Sequence, residues 1–435
     1  MMRYVIIGSS AAGIKAAETL RKLDRDAAIT VISEENEPPY SRCLLPEYLA
    51  GKRSRSELVF KAGNFFADHG IKAMLGERAV YVDPAEQEVV LESGEAIGYD
   101  KLLVATGSSS TCPPLPGIEK VGFTGVRTLD DADLILNRCR TGNKAVVIGG
   151  GFVGLETAYA LNRRGLDVAV VEMAPHILAL QFDAAAAEIL AADMERSGIK
   201  IYAGTATKEL LPPKGLERPG SDAENTVVLE DGTELKAHLV LTCTGTRPNV
   251  DVLDGTGVEI NRGIVVNEHM ETSVMNIYAA GDVCESTDLA SGKRGLTPIW
   301  PNAVIQGKTA AYNMAGQSRQ VSPLLGLQNA VEFREVPAIA AGFSTAGPGD
   351  GLEVLTDYQP GRGIYRKIVL EDNVIKGMIF LGNIQNAGVM AALIRKRADV
   401  SGIKDRLLDN EFNYGYLWPG GAAQPEACEQ ETALV

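Results

Sequence analysis

The chain has 435 residues, 45% of them hydrophobic and 23% charged, with a formal net charge of −14, so it is too long for one typical domain and too acidic to suit nucleic acid or an anionic membrane as a partner. No apolar run reaches the length of a membrane span, and six cysteines at 43, 112, 139, 243, 284 and 428, with no CxxC spacing, fit neither a disulfide framework nor a metal site. The expectation is a cytoplasmic protein in a reducing setting, whose first residues, Met1-Met2-Arg3, run into a strand and leave no room for a signal peptide.

Arg3-Tyr4-Val5-Ile6-Ile7 predicts a strand, Gly8-Ser9-Ser10-Ala11-Ala12-Gly13 a tight turn, and Ala16 to Leu23 a helix. Ile29 to Ile32 predicts a second strand, with Ser33-Glu34 after it. This is the order of a dinucleotide-binding unit, with Ser10 in place of the middle glycine. Pro38 and Pro39 mark a loop, and a short helix is expected from near Arg42. Cys43 at that helix start has two readings, a thiol with a lowered pKa that reacts as the thiolate or an inert packing residue. Residues 71 to 100 read as short alternating strands, one holding Val80, with turns at Asp83-Pro84 and Ser93-Gly94. Pro113-Pro114-Leu115-Pro116-Gly117 makes a stiff linker.

The pattern then repeats more strongly. Ala145 to Ile148 is an apolar run, followed by Gly149-Gly150-Gly151-Phe152-Val153-Gly154, an apolar-periodic stretch from Leu155 to Leu161, and Val168 to Val171 ending on Glu172. Glycines let the backbone turn tightly and approach a pyrophosphate, the helix N-terminus offers unpaired N–H groups to it, and the acid accepts from the ribose hydroxyls. An acid there repels a 2′-phosphate, and Met173-Ala174-Pro175-His176 supplies no arginine or lysine, so NAD(H) is favoured over NADP(H). The Pro212 to Asn225 insert reads as a polar surface hairpin. Two such units in one chain suit an enzyme that passes electrons between two cofactors.

Leu239 to Thr242 predicts another strand, with Cys243 in the core, and Ile277-Tyr278-Ala279-Ala280-Gly281-Asp282 a strand ending in a turn. Thr297 to Ala303 opens a helix over Ile305 to Tyr312. The third segment contains strands Ile364 to Leu370 and Val374 to Phe380 around a Glu371-Asp372-Asn373 turn, then a helix from Ala387 to Lys396. The tail from Pro419 is Gly/Ala/Glu-rich and reads as flexible or ordered by a partner, and Cys428 within it has no neighbour for a redox pair.

Taken with Tyr40-Ser41-Arg42-Cys43-Leu44-Leu45-Pro46, Asp100 to Gly107 and Thr242 to Gly245, these stretches occur in the order found in the FAD-dependent pyridine nucleotide–disulfide oxidoreductase superfamily. The chain resembles its nitrite reductase (flavoprotein half), rubredoxin reductase and ferredoxin reductase-like branch over nearly its whole length. The resemblance implies an α/β fold of two Rossmann-like dinucleotide-binding domains, the NAD domain inserted in a split FAD domain, plus a C-terminal α+β interface domain. The implied ranges are 1–117 and 248–327 for FAD, 118–247 for NAD, 328–416 for the interface domain and 417–435 for a flexible tail. It places FAD at Gly8, Ser10, Ala11, Ala12, Gly13, Glu34, Arg42, Val80, Ala105, Thr106, Gly107, Arg127, Gly281, Asp282 and Ala303, with Trp300 beside the flavin or nicotinamide. It places NAD(H) at Gly149, Gly151, Phe152, Val153, Gly154, Glu156, Glu172 and Gly245. No metal is implied.

The function implied is hydride transfer between nicotinamide and FAD, with the electrons exchanged with a second partner. That partner is a protein carrier such as rubredoxin or an iron–sulfur subunit, as in larger complexes of the phenylglyoxylate dehydrogenase or tungsten aldehyde oxidoreductase kind. Alternatively Cys43 serves a thiol-redox enzyme of the coenzyme A disulfide, persulfide or peroxide-reducing type, or the chain is a redox-sensing protein that binds both nucleotides. The C-terminal domain contributes to homodimers in some such relatives and to partner docking in others. Where Glu47 stands, the electron-transferring relatives often have lysine.

Overall fold

The computed structural model describes residues 1–213, 223–289, 291–321, 324–326, 328–413 and 415. The middle of the polar insert and the 417–435 tail with Cys428 lie outside the described residues. Arg3–Ile7, Ala28–Ser33, Ile71–Leu75, Lys101–Val104 and Ile277–Ala279 form one parallel sheet, with Arg3–Ile7 between Ala28–Ser33 and Lys101–Val104. A second parallel sheet repeats this order with Lys200–Ala203, Asp167–Glu172, Lys144–Ile148 and Leu239–Thr242. Both sheets are built from near-continuous apolar runs because both faces are covered, one by helices and the other by a three-stranded antiparallel sheet, Ala79–Asp83, Glu88–Leu91 and Ala96–Gly98 on the first and Thr207–Leu211, Asn225–Leu229 and Glu234–Ala237 on the second. The Ile277–Ala279 strand pairs with Lys101–Val104 across the whole second unit, so the fold is an NAD domain inserted in a split FAD domain.

The two crossings between the units run side by side. Ser108–Ser110 pairs antiparallel with Thr246–Pro248, and Asn249 donates to the Thr106 carbonyl at 3.0 Å. The Ala11–Leu23 helix packs on Trp300–Met314, close enough that a side chain at Gly307 would run into the Ala12 backbone.

The C-terminal unit is an antiparallel sheet ordered Gln328–Glu332, Pro337–Gly342, Val374–Leu381, Ile364–Glu371, Glu353–Gln359, backed by the Ala387–Lys396 helix. Asp372 and Asn373, both at positive φ, close its tightest hairpin. One apolar core joins all three units, with Leu45 and Leu49 from the first, Leu155, Phe182 and Leu190 from the second, and Phe333, Tyr365 and Leu381 from the third. A polar tie supports it. Asp183 caps the Ala184–Glu195 helix through the Ala186 N–H at 3.1 Å and accepts from Tyr365 Oη at 2.7 Å and from the buried Lys367 Nζ at 2.9 Å.

Two predicted elements differ in extent. The helix expected from Ile305 begins at Trp300, because Pro301 in its first turn already has the helical φ. The helix expected near Arg42 is a 3₁₀ turn, Arg42–Leu44, followed by a five-residue helix, Leu45–Leu49, since Pro46 tolerates only a fresh first turn.

Candidate active site

Each parallel sheet delivers a glycine turn to the same place, the C-terminal end of its first strand. Gly8 and Gly149 have φ of 119° and 112°, and a side chain on either would run into a carbonyl, that of Ala105 or of Cys243. Gly13 and Gly154 sit where a Cβ would strike the Gly8 and Gly149 carbonyls, which seats each helix against its strand. The helices start at Ala11 and Phe152, with Ser10 and Gly151 as N-caps that make no side-chain capping bond. Their first-turn N–H groups therefore stay available to an anion.

The register fixes which residues correspond. Gly8 N donates to the Ile32 carbonyl and Gly149 N to that of Val171, both at 2.8 Å. Ser33 is thus the counterpart of Glu172, and Glu34 lies one residue further on, exposed at the cleft. Glu172 accepts from the N–H of Gly150 at 2.6 Å and of Ala174 at 2.7 Å, while Ser9 Oγ donates to Ser33 Oγ at 2.8 Å in the other copy.

The first turn opens on a cleft of about 1190 Å³. Of the residues expected at FAD, Gly8, Ser10, Ala11, Ala12, Glu34, Arg42, Ala105, Thr106, Gly107, Arg127, Gly281, Asp282 and Ala303 line it, as do Cys43 and Trp300. Gly13 lies beneath the turn, and Val80 is exposed on its strand while its neighbour Ala79 lines the cleft. Gly281 fits between Ala12 and Ala303, whose Cβ atoms would stand 3.2 and 3.7 Å from an added one. Trp300 meets Phe60 edge to face at 5.2 Å.

A chain of polar contacts crosses this cleft. Arg42 pairs with Glu35, and donates to Tyr40 Oη at 3.0 Å and to the Arg127 carbonyl at 2.7 Å. Arg127 in turn donates to Asp282 at 2.7 Å and to the Ser108 carbonyl at 3.0 Å. Burial pushes the Tyr40 phenol well up, so it stays a neutral donor to Glu35 at 2.6 Å. Glu35 and Tyr40 escaped the sequence reading, although the Glu34-Glu35 pair was a signal for them. Gln306 left none; buried in the Trp300–Met314 helix, it accepts from the Gly281 N–H at 2.8 Å and so holds the turn that carries Asp282.

Of the residues expected at NAD, Gly149, Gly151, Phe152, Val153, Gly154 and Glu172 gather at the second turn. A Cβ on Gly151 would meet nothing, so open space faces the helix start there. Gly245 is exposed at the crossing, with its carbonyl accepting from Thr111. Glu156 instead lines a second cavity of about 400 Å³ between the three units, with Glu47, Lys52, Tyr159, Phe333 and Cys43. Burial, reinforced by the charge of Glu47, pushes its carboxyl up to about 7.

Cys43 lines both the cleft and this cavity, and its thiol is pushed up, first by burial and then by the charge of Glu156. Of its two readings, this direction goes with the protonated thiol. A three-residue 3₁₀ turn lacks the aligned peptide dipoles of a long helix, and the nearby carboxylate opposes a thiolate. Cys43, Cys112, Cys139, Cys243 and Cys284 are all free thiols, and desolvation pushes the partly buried Cys243 thiol up to about 12. Among the described residues no group of three or more His, Cys, Asp or Glu is placed to hold a metal, and no helix is long and apolar enough to cross a membrane.

Residues 2–307 match the pyridine nucleotide-disulphide oxidoreductase family. The chain belongs to this family. It is an FAD-dependent NAD(H) oxidoreductase, and its two turns fit both groups in spacing, in free first-turn N–H donors and in the space above them. Among its relatives, the NADH-dependent phenylglyoxylate dehydrogenase subunit epsilon of Aromatoleum evansii is 33% identical, over 95% of this chain and 96% of that protein. The assimilatory nitrate reductase electron transfer subunit of Bacillus subtilis is 30% identical over 99% of this chain, which spans 54% of that protein. The solved NADH:rubredoxin oxidoreductase of Clostridium acetobutylicum superposes with a TM-score of 0.75 at 28% identity, covering 94% of this chain and 99% of that one.

Proposed function

We propose that the protein carries electrons between NAD(H) and a one-electron protein carrier, a rubredoxin or an iron–sulfur subunit, as the flavoprotein subunit of a larger assembly. The observation that carries this reading is the match to the phenylglyoxylate dehydrogenase subunit, which runs through nearly the full length of both chains. The setting of Cys43 supports it, since a thiol pushed up beside a carboxylate, with no disulfide partner among the described residues, is poorly suited to thiol exchange.

FAD, when bound, supplies the conversion between two-electron hydride and single electrons. The chain's own residues bind and orient. The Ala11–Leu23 and Phe152–Arg163 helix starts hold the two pyrophosphates, Glu172 takes the nicotinamide nucleotide's ribose, and Asp282 and Arg127 hold the sugar-like chain leading to the flavin. Trp300, braced edge to face by Phe60, lines the cleft.

The test is NADH-driven reduction of purified rubredoxin and ferredoxin beside coenzyme A disulfide and an alkyl persulfide. Faster reduction of an iron–sulfur carrier than of either sulfur substrate is expected. The reverse order contradicts the reading.

A further inference from the structure

Oxidation of NADH by one-electron carriers leaves a proton over: NADH and two oxidised carriers become NAD⁺, H⁺ and two reduced carriers. Such carriers take electrons without protons, so on the proposed function each turnover must move one proton between the cleft and water. Several carboxylates line the cleft, and those beside Arg42 and Arg127 are already paired. Asp282 is paired with Arg127, Glu35 with Arg42, and the thiol of Cys43 is held up.

The second cavity differs. Cys43 is its shared wall with the cleft, so the two spaces adjoin at that side chain. Carboxylates of all three units face into it. Glu47 is paired with Arg53. Glu156, half-buried on the Phe152–Arg163 helix, has no hydrogen-bond or ion-pair partner among the described residues. The other titratable groups facing the cavity are Cys43, Lys52 on the loop after Leu45–Leu49, Tyr159 one turn along the same helix, and Glu332 on the C-terminal sheet. At about 400 Å³ the cavity has room for a file of water, which needs only roughly 10–15 Å³ per molecule.

We propose that Glu156 is the proton-exchange residue of the site, taking the proton left by NADH oxidation on the Cys43 side and releasing it to solvent through the second cavity. The step is Glu156 carboxylate plus H⁺ giving the carboxylic acid, then the reverse into water, with no change in oxidation state at Glu156. Its carboxyl at about 7 suits both halves, since a group that binds and releases a proton at neutral pH works best when its pKa lies near that pH. Glu47 helps by its charge rather than by contact, so it is a positioning residue. The proposal rests on the one-electron reading, because a thiol or peroxide substrate would consume protons instead.

The experiment uses FAD-loaded protein and the variants Glu156→Gln and Glu156→Asp. Infrared difference spectra of the carboxyl band, taken without NADH across neutral pH, are expected to show one carboxylic acid ionising near pH 7 that is absent in Glu156→Gln. With ferricyanide as acceptor, indicator-dye proton release in Glu156→Gln is expected to slow about ten-fold or more, with partial recovery in Glu156→Asp. Absence of the neutral-pH carboxyl band, or wild-type proton release in Glu156→Gln, overturns the role of Glu156. Failure of the wild type to pass electrons to ferricyanide, with the carboxyl band present, overturns the one-electron function instead.

Discussion

Arg127 Nη2 donates to Asp282 Oδ2 at 2.7 Å, joining the first crossing between domains to the turn that ends the last strand of the FAD sheet. The pair is partly buried, and Arg127 also holds the Ser108 carbonyl at 3.0 Å. Arg127→Ala leaves Asp282 as an unpaired charge facing the flavin end of the cleft. A loss of about 1.5–3 kcal/mol in FAD binding follows, roughly ten- to hundredfold in retention, read by flavin fluorescence on dilution. Undiminished retention would show that the pair does not shape the site.

Glu172 is held ready by the Gly150 and Ala174 N–H groups. Glu172→Ala should raise the KM for NADH by about tenfold, near 1.4 kcal/mol, and raise that for NADPH less or lower it. Equal effects on the two nucleotides would remove Glu172 from ribose recognition.

Glu156 has a folded pKa of about 7, above the ordinary carboxyl value of 4.5, so the folded chain binds its proton more tightly than the unfolded chain does. Stability from this group is complete below the unfolded value and is lost as pH rises through 7. Glu156→Gln removes that loss. After a discount for partial solvent access, it should be more stable than the wild type by about 1–2 kcal/mol at pH 8 and nearly equal at pH 4.5, measured by urea unfolding. A constant difference across that window would contradict the raised pKa.

Asp183 joins the NAD domain to the C-terminal sheet. Asp183→Ala strips Lys367, 4% exposed, of the Asp183 carboxylate and removes a helix cap. A destabilisation of about 3–5 kcal/mol is expected by chemical unfolding. Asp183→Asn, which keeps an oxygen at the cap, should cost less.

Much of this architecture is written in local pattern. Ala145 to Ile148 and Val168 to Val171 are long apolar runs broken by glycine, and such runs specify a buried parallel sheet without reference to the rest of the chain. The Gly8 and Gly149 turns are legible because only glycine fits where the backbone meets a carbonyl. What the sequence hides is tertiary. Gln306 looks like any helix amide until the Gly281 turn is brought against it, and Asp183 lies 182 and 184 positions before its partners Tyr365 and Lys367. The sequence leaves two readings of the Cys43 thiol open because its environment depends on Glu156, which arrives from another domain. The register also moves the strand-end position from Glu34 to Ser33, a one-residue matter that only pairing resolves.

The most direct test of the electron path is an anaerobic titration of FAD-loaded protein with NADH, followed by the flavin spectrum. Because the Cys43 thiol is pushed up and has no disulfide partner among the described residues, the flavin should bleach with one NADH per FAD and no long-wavelength thiolate–flavin band should develop. Consumption of further NADH together with such a band, lost in Cys43→Ser, would make Cys43 a redox centre and contradict the assignment of a protein carrier as the electron partner.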